Sequence, residues 1–137
     1  MYPEGKHILV IDSEARRRQL TERVLAEEGF AVTAVAEGFS AIRAAASCRF
    51  VLAVAAARLP GTLDGLATLH QIRARQPWLK ALFTGDAAGR PPLPDRDRDD
   101  FIASPFQRRE LLGCVFELLQ RESSLEHVGR RDRGRTG

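Results

Sequence analysis

The stretch FVLAVAAARLPG, residues 50–61, decides how this chain folds. An unbroken apolar run covers residues 50–57 and passes through Arg58 into a Leu-Pro-Gly loop. A short apolar run that ends in a Pro-Gly turn is typical of a central strand in a parallel sheet, buried on both faces. The run carries no carboxylate, and no Asp or Glu occurs between Glu37 and Asp64. The end of this strand therefore offers no acidic side chain for chemistry.

On both sides of this strand, apolar runs alternate with helical patterns. Repeated βα units of this kind predict an α/β protein with a doubly wound, five-stranded parallel sheet. The predicted strands cover residues 7–11, 30–35, 50–56, 79–84 and 101–103. Four helices are predicted with clear patterns. The first begins with Ser13 as its N-cap, and the next covers residues 39–46. Another includes Leu66, Leu69 and Ile72, and the last covers residues 110–119.

The alternation breaks between the fourth and fifth predicted strands, where a helix is expected. Pro91, Pro92 and Pro94 lie close together there, and a proline inside a helix costs about 3 kcal/mol. Residues 85–100 are therefore predicted to form a loop with at most one short turn. The fourth helix in chain order, which is the one expected between these two strands, is thus predicted to be short or missing. We expect residues 87–99 to be irregular and mobile, and the polar residues 95–100 to stay off the sheet.

The chain has 137 residues, which suits a single domain, predicted here to cover residues 1–121. Residues 122–137 are predicted to be a disordered basic tail. The last ten residues contain four Arg and one Asp, so they carry the whole net charge of +3 and the rest of the chain is neutral. No apolar run is long enough to cross a bilayer, which takes about 20 residues, and residues 1–6 do not resemble a signal peptide. The predicted location is the cytoplasm.

The sequence shows no recognisable catalytic or metal-binding motif. Cys48 and Cys114 are the only cysteines, and their apolar neighbours predict small buried side chains rather than a disulfide. The three histidines are isolated, no zinc-ligand spacing occurs, and no nucleophile–base pair or phosphate-binding glycine loop is apparent. The sequence therefore predicts no enzyme activity, no metal and no cofactor.

Five short motifs, in order and at domain-scale spacing, resemble the receiver domains of two-component response regulators. The resemblance covers residues 6 to about 121 and implies a flavodoxin-like sheet of strand order 2-1-3-4-5, with its site at the carboxyl ends of the strands. The motifs are Ile8-Leu9-Val10-Ile11-Asp12, Ala36-Glu37-Gly38-Phe39-Ser40-Ala41-Ile42, Leu59-Pro60-Gly61 with Asp64-Gly65-Leu66, Leu82-Phe83-Thr84-Gly85, and Ser104-Pro105-Phe106.

The resemblance also implies a phosphorylation site that is only partly retained. In the family, two acids and an acceptor aspartate hold Mg²⁺, and a lysine helps to neutralise the phosphoryl group. Asp12 matches the first acid, but Ser13 stands at the second acid position. Ala56 stands at the acceptor position, four residues before the loop proline, and Ser104 stands at the lysine position. Phosphorylation and Mg²⁺ binding are therefore not expected.

Two further positions match the family's switch residues, and each has a structural alternative. Thr84 matches the switch threonine but could simply bond the backbone at a strand end. Phe101 matches the switch aromatic but could be a core residue. Asp12 could likewise cap the helix that follows it. Arg58 either extends into solvent or turns toward Asp12 or Glu14 and replaces the missing cation.

Two functions follow as hypotheses. The first is a pseudo-receiver, a protein-interaction module of a phosphorelay that works without phosphorylation. Its partner would be a sensor kinase, another regulator or a second copy in a homodimer, and contact is predicted near Phe101 and Leu111, where a missing fourth helix exposes apolar surface. The alternative is a regulator that associates with nucleic acid through its arginine-rich tail. Asp132 interrupts the arginines of that tail, so a nucleic-acid partner is not the primary prediction, and no membrane partner is predicted.

Overall fold

The computed structural model describes residues 6–121 of the chain. The predictions for the tail, and with them its disorder and its proposed role with nucleic acid, lie outside the described residues. None of the helices within residues 6–121 combines the length and apolar character needed to span a bilayer.

Strands and helices alternate along the described chain. The strands are β1 (His7–Ile11), β2 (Ala31–Val35), β3 (Leu52–Ala56), β4 (Lys80–Gly85) and β5 (Asp99–Ala103). The helices are α1 (Ala15–Glu27), α2 (Gly38–Ser47), α3 (Gly65–Arg73) and α4 (Arg108–Gln120), together with one 3-10 turn (Ala87–Gly89).

The five strands form one parallel sheet of order β2-β1-β3-β4-β5. This confirms the predicted fold class. β3 lies at the centre, and all five of its residues are buried, as the apolar run predicts. In the register of the sheet, Ala55 is opposite Ile11 and Ala56 is opposite Thr84. The carboxyl ends of β1, β3 and β4 therefore meet at one edge.

Each face of the sheet carries its own hydrophobic core, because side chains alternate between faces along every strand. α2 and α3 cover one face, where Leu9, Ile11 and Phe83 are fully buried. α1 and α4 cover the other face with Val24, Leu25, Leu111, Val115 and Leu118.

The predicted interface role of Leu111 is wrong. Leu111 is only 1% exposed and packs in the core between α4 and the sheet. It repeats with Val115 and Leu118 at the helical spacing that faces the core, so this face of α4 stays covered although the preceding helix is missing.

Gly65 lets the first turn of α3 approach the end of β3 closely. A β-carbon on Gly65 would stand 2.2 Å from the carbonyl oxygen of Ala56, well inside contact distance. The backbone amide of Gly65 also donates to the carbonyl of Ala57. Only glycine fits this position, which explains the Asp64-Gly65 pair: Asp64 caps α3 by accepting from the amide of Ala67, and Gly65 allows the contact.

The segment between β4 and β5 is irregular apart from the 3-10 turn. This confirms the prediction that the helix expected between these two strands is short or missing. The prediction that residues 95–100 stay off the sheet is wrong. β5 begins at Asp99, which is 2% exposed and forms an ion pair of 2.5 Å with Arg73. Leu93 also packs against the core under α2 and α3. A paired aspartate can be buried where an unpaired one cannot, and the mobility of the segment stays a prediction.

Candidate functional site

Four of the predicted site residues lie at the carboxyl-end edge of the sheet. Asp12 directly follows β1, Ala56 is the last residue of β3, Thr84 lies opposite it on β4, and Ser104 directly follows β5. Their arrangement follows from the parallel register, because strand ends that run in one direction meet at the same edge.

Asp12 is the buried charge of this edge, with 4% of its surface exposed. Its Oδ2 accepts a hydrogen bond of 2.6 Å from Nε of Arg17, and its Oδ1 accepts one of 2.9 Å from Nη2 of the same guanidinium. The amide of Glu14 donates to Oδ1 at 3.0 Å. The hydrogen bond to Asp12 raises the pKa of Arg17. Both carboxylate oxygens are thus engaged by one two-pronged arginine, which is the strongest geometry for such a pair.

Arg17, and not Arg58, binds Asp12, so the alternative in which Arg58 turns toward this acid is wrong. The guanidinium of Arg58 lies elsewhere, with Nη2 only 3.5 Å from where a β-carbon on Gly89 would stand, against the 3-10 turn. Arg17 lies in the first turn of α1, and the helix places its side chain beside the end of β1. The signal for it was present in the sequence as Arg16-Arg17-Arg18 immediately after the acid.

The first turn of α1 also corrects the predicted N-cap. Glu14, and not Ser13, caps the helix, and its side chain accepts from the amide of Arg17 at 2.7 Å. Ser13 is exposed. Asp12 accepts a hydrogen bond from the amide of Glu14, two residues ahead. The alternative that Asp12 caps the following helix is therefore correct in part, because Asp12 bonds the backbone just before α1 as well as Arg17.

The remaining predicted residues form the β4–β5 side of the edge. Thr84 is 3% exposed. The hydroxyl of Ser104 donates to the carbonyl of Gly85 at 3.4 Å, so it bonds backbone within the edge. The ring of Phe101 is half-buried against the α2–α3 core, and the guanidinium carbon of Arg90 lies 5.3 Å from its centroid. Phe101 is therefore partly a core residue and partly covered by a cation from the irregular segment.

The residues at this edge do not fit a Mg²⁺ site. Mg²⁺ requires several oxygen ligands in near-octahedral geometry. Asp12 has both oxygens bonded to Arg17, Ser13 faces solvent, and Ala56 contributes only a methyl group. Within residues 6–121, no three His, Cys, Asp or Glu side chains are grouped as metal ligands.

A groove of about 430 Å³ lies beside this edge, between α1 and the loop after β5. We call it the α1 groove. Leu20, which is 40% exposed, contributes an apolar wall together with Pro105 and Phe106. Arg16 and Glu14 provide charges at its border. No sequence pattern pointed to this groove, because it depends on how α1 and the β5 loop are placed together.

A second arrangement that the sequence did not predict lies at the opposite edge. The sequence predicts an isolated His7 and a small buried Cys48, yet Cys48 is half-buried and its Sγ is 3.0 Å from Nδ1 of His7. They are 41 positions apart in the chain, so only the fold could bring them together.

Comparison with known proteins places this architecture in a family. The family model described as "Response regulator receiver domain" matches residues 8–116. The transcriptional regulatory protein ResD of Bacillus subtilis (strain 168) is 33% identical over 122 residues, which cover 88% of this chain and 50% of ResD. The chain spans about half the length of the curated relatives it matches.

Solved structures of receiver domains superpose on this chain. A response regulator receiver protein from Sinorhizobium medicae WSM419 superposes with a TM-score of 0.73 at 28% identity, over 85% of this chain and 95% of that one. The receiver domain of the sensor histidine kinase PA1611 from Pseudomonas aeruginosa PAO1, solved with a magnesium ion coordinated in its active site cleft, superposes with a TM-score of 0.70 at 28% identity, over 84% of this chain and 98% of that one. The sheet order, the matched motifs and the similar proteins agree that the chain belongs to the response regulator receiver domain family of two-component systems.

Proposed function

We propose that this receiver domain is a pseudo-receiver, a protein-interaction module of a phosphorelay that works without being phosphorylated. One observation carries the proposal. At the edge where receivers of this family are expected to carry their site, the strand end offers a methyl group at Ala56, and the buried carboxylate of Asp12 is bound to Arg17.

The acceptor position, Ala56, lacks a nucleophile, and both carboxylate oxygens of Asp12 are bonded to Arg17 rather than free for a metal. Phosphoryl transfer to a protein needs an oxygen or nitrogen nucleophile, and alanine has none. The PA1611 receiver coordinates magnesium in its cleft. In this chain the guanidinium of Arg17 on α1 donates to both carboxylate oxygens of Asp12. The arginine thereby neutralises the carboxylate in place of a metal ion. Enzyme activity and a cofactor requirement are not part of the proposed function.

A binding module needs only a stable surface, and the α1 groove supplies one. Its apolar wall, Leu20 with Pro105 and Phe106, is bordered by the exposed charges of Arg16 and Glu14. Apolar area with a polar border is the usual composition of a protein contact. The partner is a sensor kinase, another regulator or a second copy in a homodimer. Contact near Phe101 remains part of the proposal, whereas Leu111 is removed from it because it is buried.

The direct test is phosphorylation. The protein is incubated with acetyl phosphate and Mg²⁺, and its intact mass is measured beside that of a receiver with aspartate at this strand end. We expect the control to gain an acid-labile phosphoryl group and this chain to gain none. A phosphoryl group that maps to Asp12, Thr84 or Ser104 would overturn the proposal.

The interaction surface is tested separately. Partner capture from the source organism is compared for the wild type, for Leu20→Asp in the α1 groove and for Phe39→Asp. Phe39 is 58% exposed on α2 and serves as a matched apolar control outside the groove. Loss of capture with Leu20→Asp alone supports the groove. Equal capture by all three proteins excludes it.

A further inference from the structure

The edge of the sheet opposite Asp12 holds a thiol, an imidazole and a hydroxyl in line. Cys48 directly follows α2 as its C-cap, His7 is the first residue of β1, and Thr33 lies on the neighbouring strand β2. Sγ of Cys48 is 3.0 Å from Nδ1 of His7, and Nε2 of His7 is 2.8 Å from Oγ1 of Thr33. Phe50 meets the imidazole edge-on, with ring centroids 4.8 Å apart and planes at 73°. Three contacts on different sides thus fix the imidazole.

The contacts of the ring fit a neutral tautomer of His7. A neutral ring that carries its proton on Nε2 donates to the hydroxyl oxygen of Thr33 and leaves Nδ1 bare. In that tautomer Nδ1 accepts from the thiol of Cys48, whose sulfur also lies 3.9 Å from the carbonyl oxygen of Arg49. A nucleophile within hydrogen-bond reach of a base, with the base oriented by a third group, is the arrangement that activates cysteine in proteins. Nothing at the carboxyl-end edge uses these residues.

We propose that Cys48 is a site of reversible oxidation by hydroperoxides, with His7 as its base and Thr33 as the residue that positions His7. The thiol is free and half-buried, so a small oxidant reaches it from solvent. The site lies at the other edge of the sheet from Asp12, and the inference does not depend on the proposed pseudo-receiver function.

The reaction balances with hydrogen peroxide as the only added reagent. The thiol proton moves from Sγ to Nδ1 of His7, and the thiolate attacks one peroxide oxygen. The O–O bond breaks as the S–O bond forms, so sulfur is oxidised to a sulfenic acid and the peroxide is reduced. The leaving hydroxide takes the proton from the imidazolium and departs as water, which returns His7 to its neutral form.

Cys114 provides an internal comparison. Burial raises the pKa of its thiol, and the carboxylates of Asp100 and Glu117 raise it further. Cys114 packs with the α1–α4 core, whereas Cys48 packs with the α2–α3 core on the other face of the sheet. The sheet separates the two sulfurs, so a sulfenic acid at Cys48 would be resolved by a thiol from outside the chain, either a small thiol or a second copy.

The experiment exploits the fact that the chain has only these two cysteines. The folded full-length protein is treated with a small excess of hydrogen peroxide in the presence of dimedone, which traps sulfenic acids, and labelling at each cysteine is followed by peptide mass spectrometry. We expect Cys48 to be labelled on the order of tenfold faster than Cys114, because only a few per cent of an ordinary thiol is thiolate at neutral pH.

Two variants separate activation from mere accessibility. His7→Gln keeps a polar side chain but cannot take the proton, so the Cys48 rate should fall to that of an unassisted thiol while the Cys114 rate stays the same. Thr33→Val leaves the base but removes its orienting hydroxyl and should give a smaller fall. Circular dichroism and urea unfolding confirm that each variant is folded.

The proposal is overturned if Cys114 is labelled as fast as Cys48 in the wild type, a result that needs no variant. It is also overturned if a folded His7→Gln or Thr33→Val protein reacts at Cys48 at the wild-type rate. Should His7→Gln fail to fold, Thr33→Val and the wild-type ratio still decide the matter.

Discussion

The two edges of the sheet use polar side chains in different ways. At the carboxyl-end edge, one buried carboxylate, Asp12, is held by a single arginine whose side chain is one-third exposed, 33%. At the amino-end edge, several buried polar groups tie separate elements together. Gln76, which follows α3, accepts from the amide of Phe50 and donates to the carbonyls of Ala45 and Cys48. It thereby links the end of α2 to the segment that leads into β3.

The strand starts of β4 and β5 extend this pattern. Lys80, 4% exposed, donates to the carbonyls of Leu119 and Arg121 at the end of α4. Asp99 receives Arg73 from α3, and Arg73 also donates to the carbonyl of Leu79. At the carboxyl-end edge one carboxylate is neutralised by one arginine, whereas at the amino-end edge buried polar contacts connect several elements.

The largest expected effect is at the amino-end edge. Arg73→Met removes one partner of a buried ion pair and leaves Asp99 without its cation, which typically lowers the free energy of unfolding by about 3–5 kcal/mol. Urea unfolding followed by circular dichroism measures it. The double variant Arg73→Met/Asp99→Leu should recover part of the loss, because it no longer buries an unpaired charge. A loss below about 1 kcal/mol for the single variant would mean that the pair is not desolvated.

A smaller effect is expected at the carboxyl-end edge. Arg17→Gln deprives Asp12 of its two-pronged partner but leaves the amide of Glu14 in place, so the expected loss is about 1–2 kcal/mol. Arg16→Gln is the matched control, since Arg16 is exposed and forms no ion pair within residues 6–121. Equal urea midpoints for the two variants would show that the Asp12–Arg17 pair contributes nothing to stability.

A weaker, pH-dependent effect is expected in the irregular segment. Burial alone would raise the pKa of Asp95, but hydrogen bonds from Arg98 and from the amide of Asp97 outweigh it and lower the pKa below the ordinary 3.8. A lowered pKa means that the stabilisation is present above the unfolded-state value and is lost as the pH falls through the folded-state value.

The pH-dependent stabilisation by ionised Asp95 is tested by comparing the wild type with Asp95→Asn. We expect a difference in unfolding free energy of less than about 1 kcal/mol at pH 6, because the aspartate is partly solvated. The difference should shrink as the pH is lowered below 4. A difference that grows on acidification contradicts the assigned role of Arg98.

The smallest expected effect is that of restoring one carboxylate. Ala56→Asp should still gain no phosphoryl group from acetyl phosphate and should bind no Mg²⁺ by titration calorimetry, because Arg17 holds Asp12 and because Ser13 and Ser104 are unchanged. Adding Ser13→Asp and Arg17→Gln to Ala56→Asp sharpens the test, since it both supplies and frees carboxylates. Mg²⁺ binding by the single variant would show that Arg17 yields readily to a metal.

Much of the fold followed from local patterns. The apolar run in residues 50–57 and the βα alternation fixed the sheet, and clustered prolines correctly predicted the missing helix. Apart from the N-cap of α1, which is Glu14 and not Ser13, the errors concern partners that are distant in sequence. Asp99 looks like part of a polar loop until Arg73 is found beside it, and Leu111 looks exposed until α4 is placed on the sheet.

The same reason limits prediction of the site. Residue identity alone shows that Ala56 lacks a nucleophile, but it does not show which of several arginines reaches Asp12. That choice depends on where the helix directs Arg17 and where the loop directs Arg58. The His7–Cys48 contact depends on the packing of α2 against β1 and leaves no trace in spacing.

The contact between Lys80 and the end of α4 has a practical consequence for anyone who handles this protein. It anchors the last described turn at the amino-end edge, so residue 121 lies at the opposite edge of the sheet from the α1 groove. A fluorophore attached to residue 121 would therefore lie at the opposite edge of the sheet from the proposed docking surface.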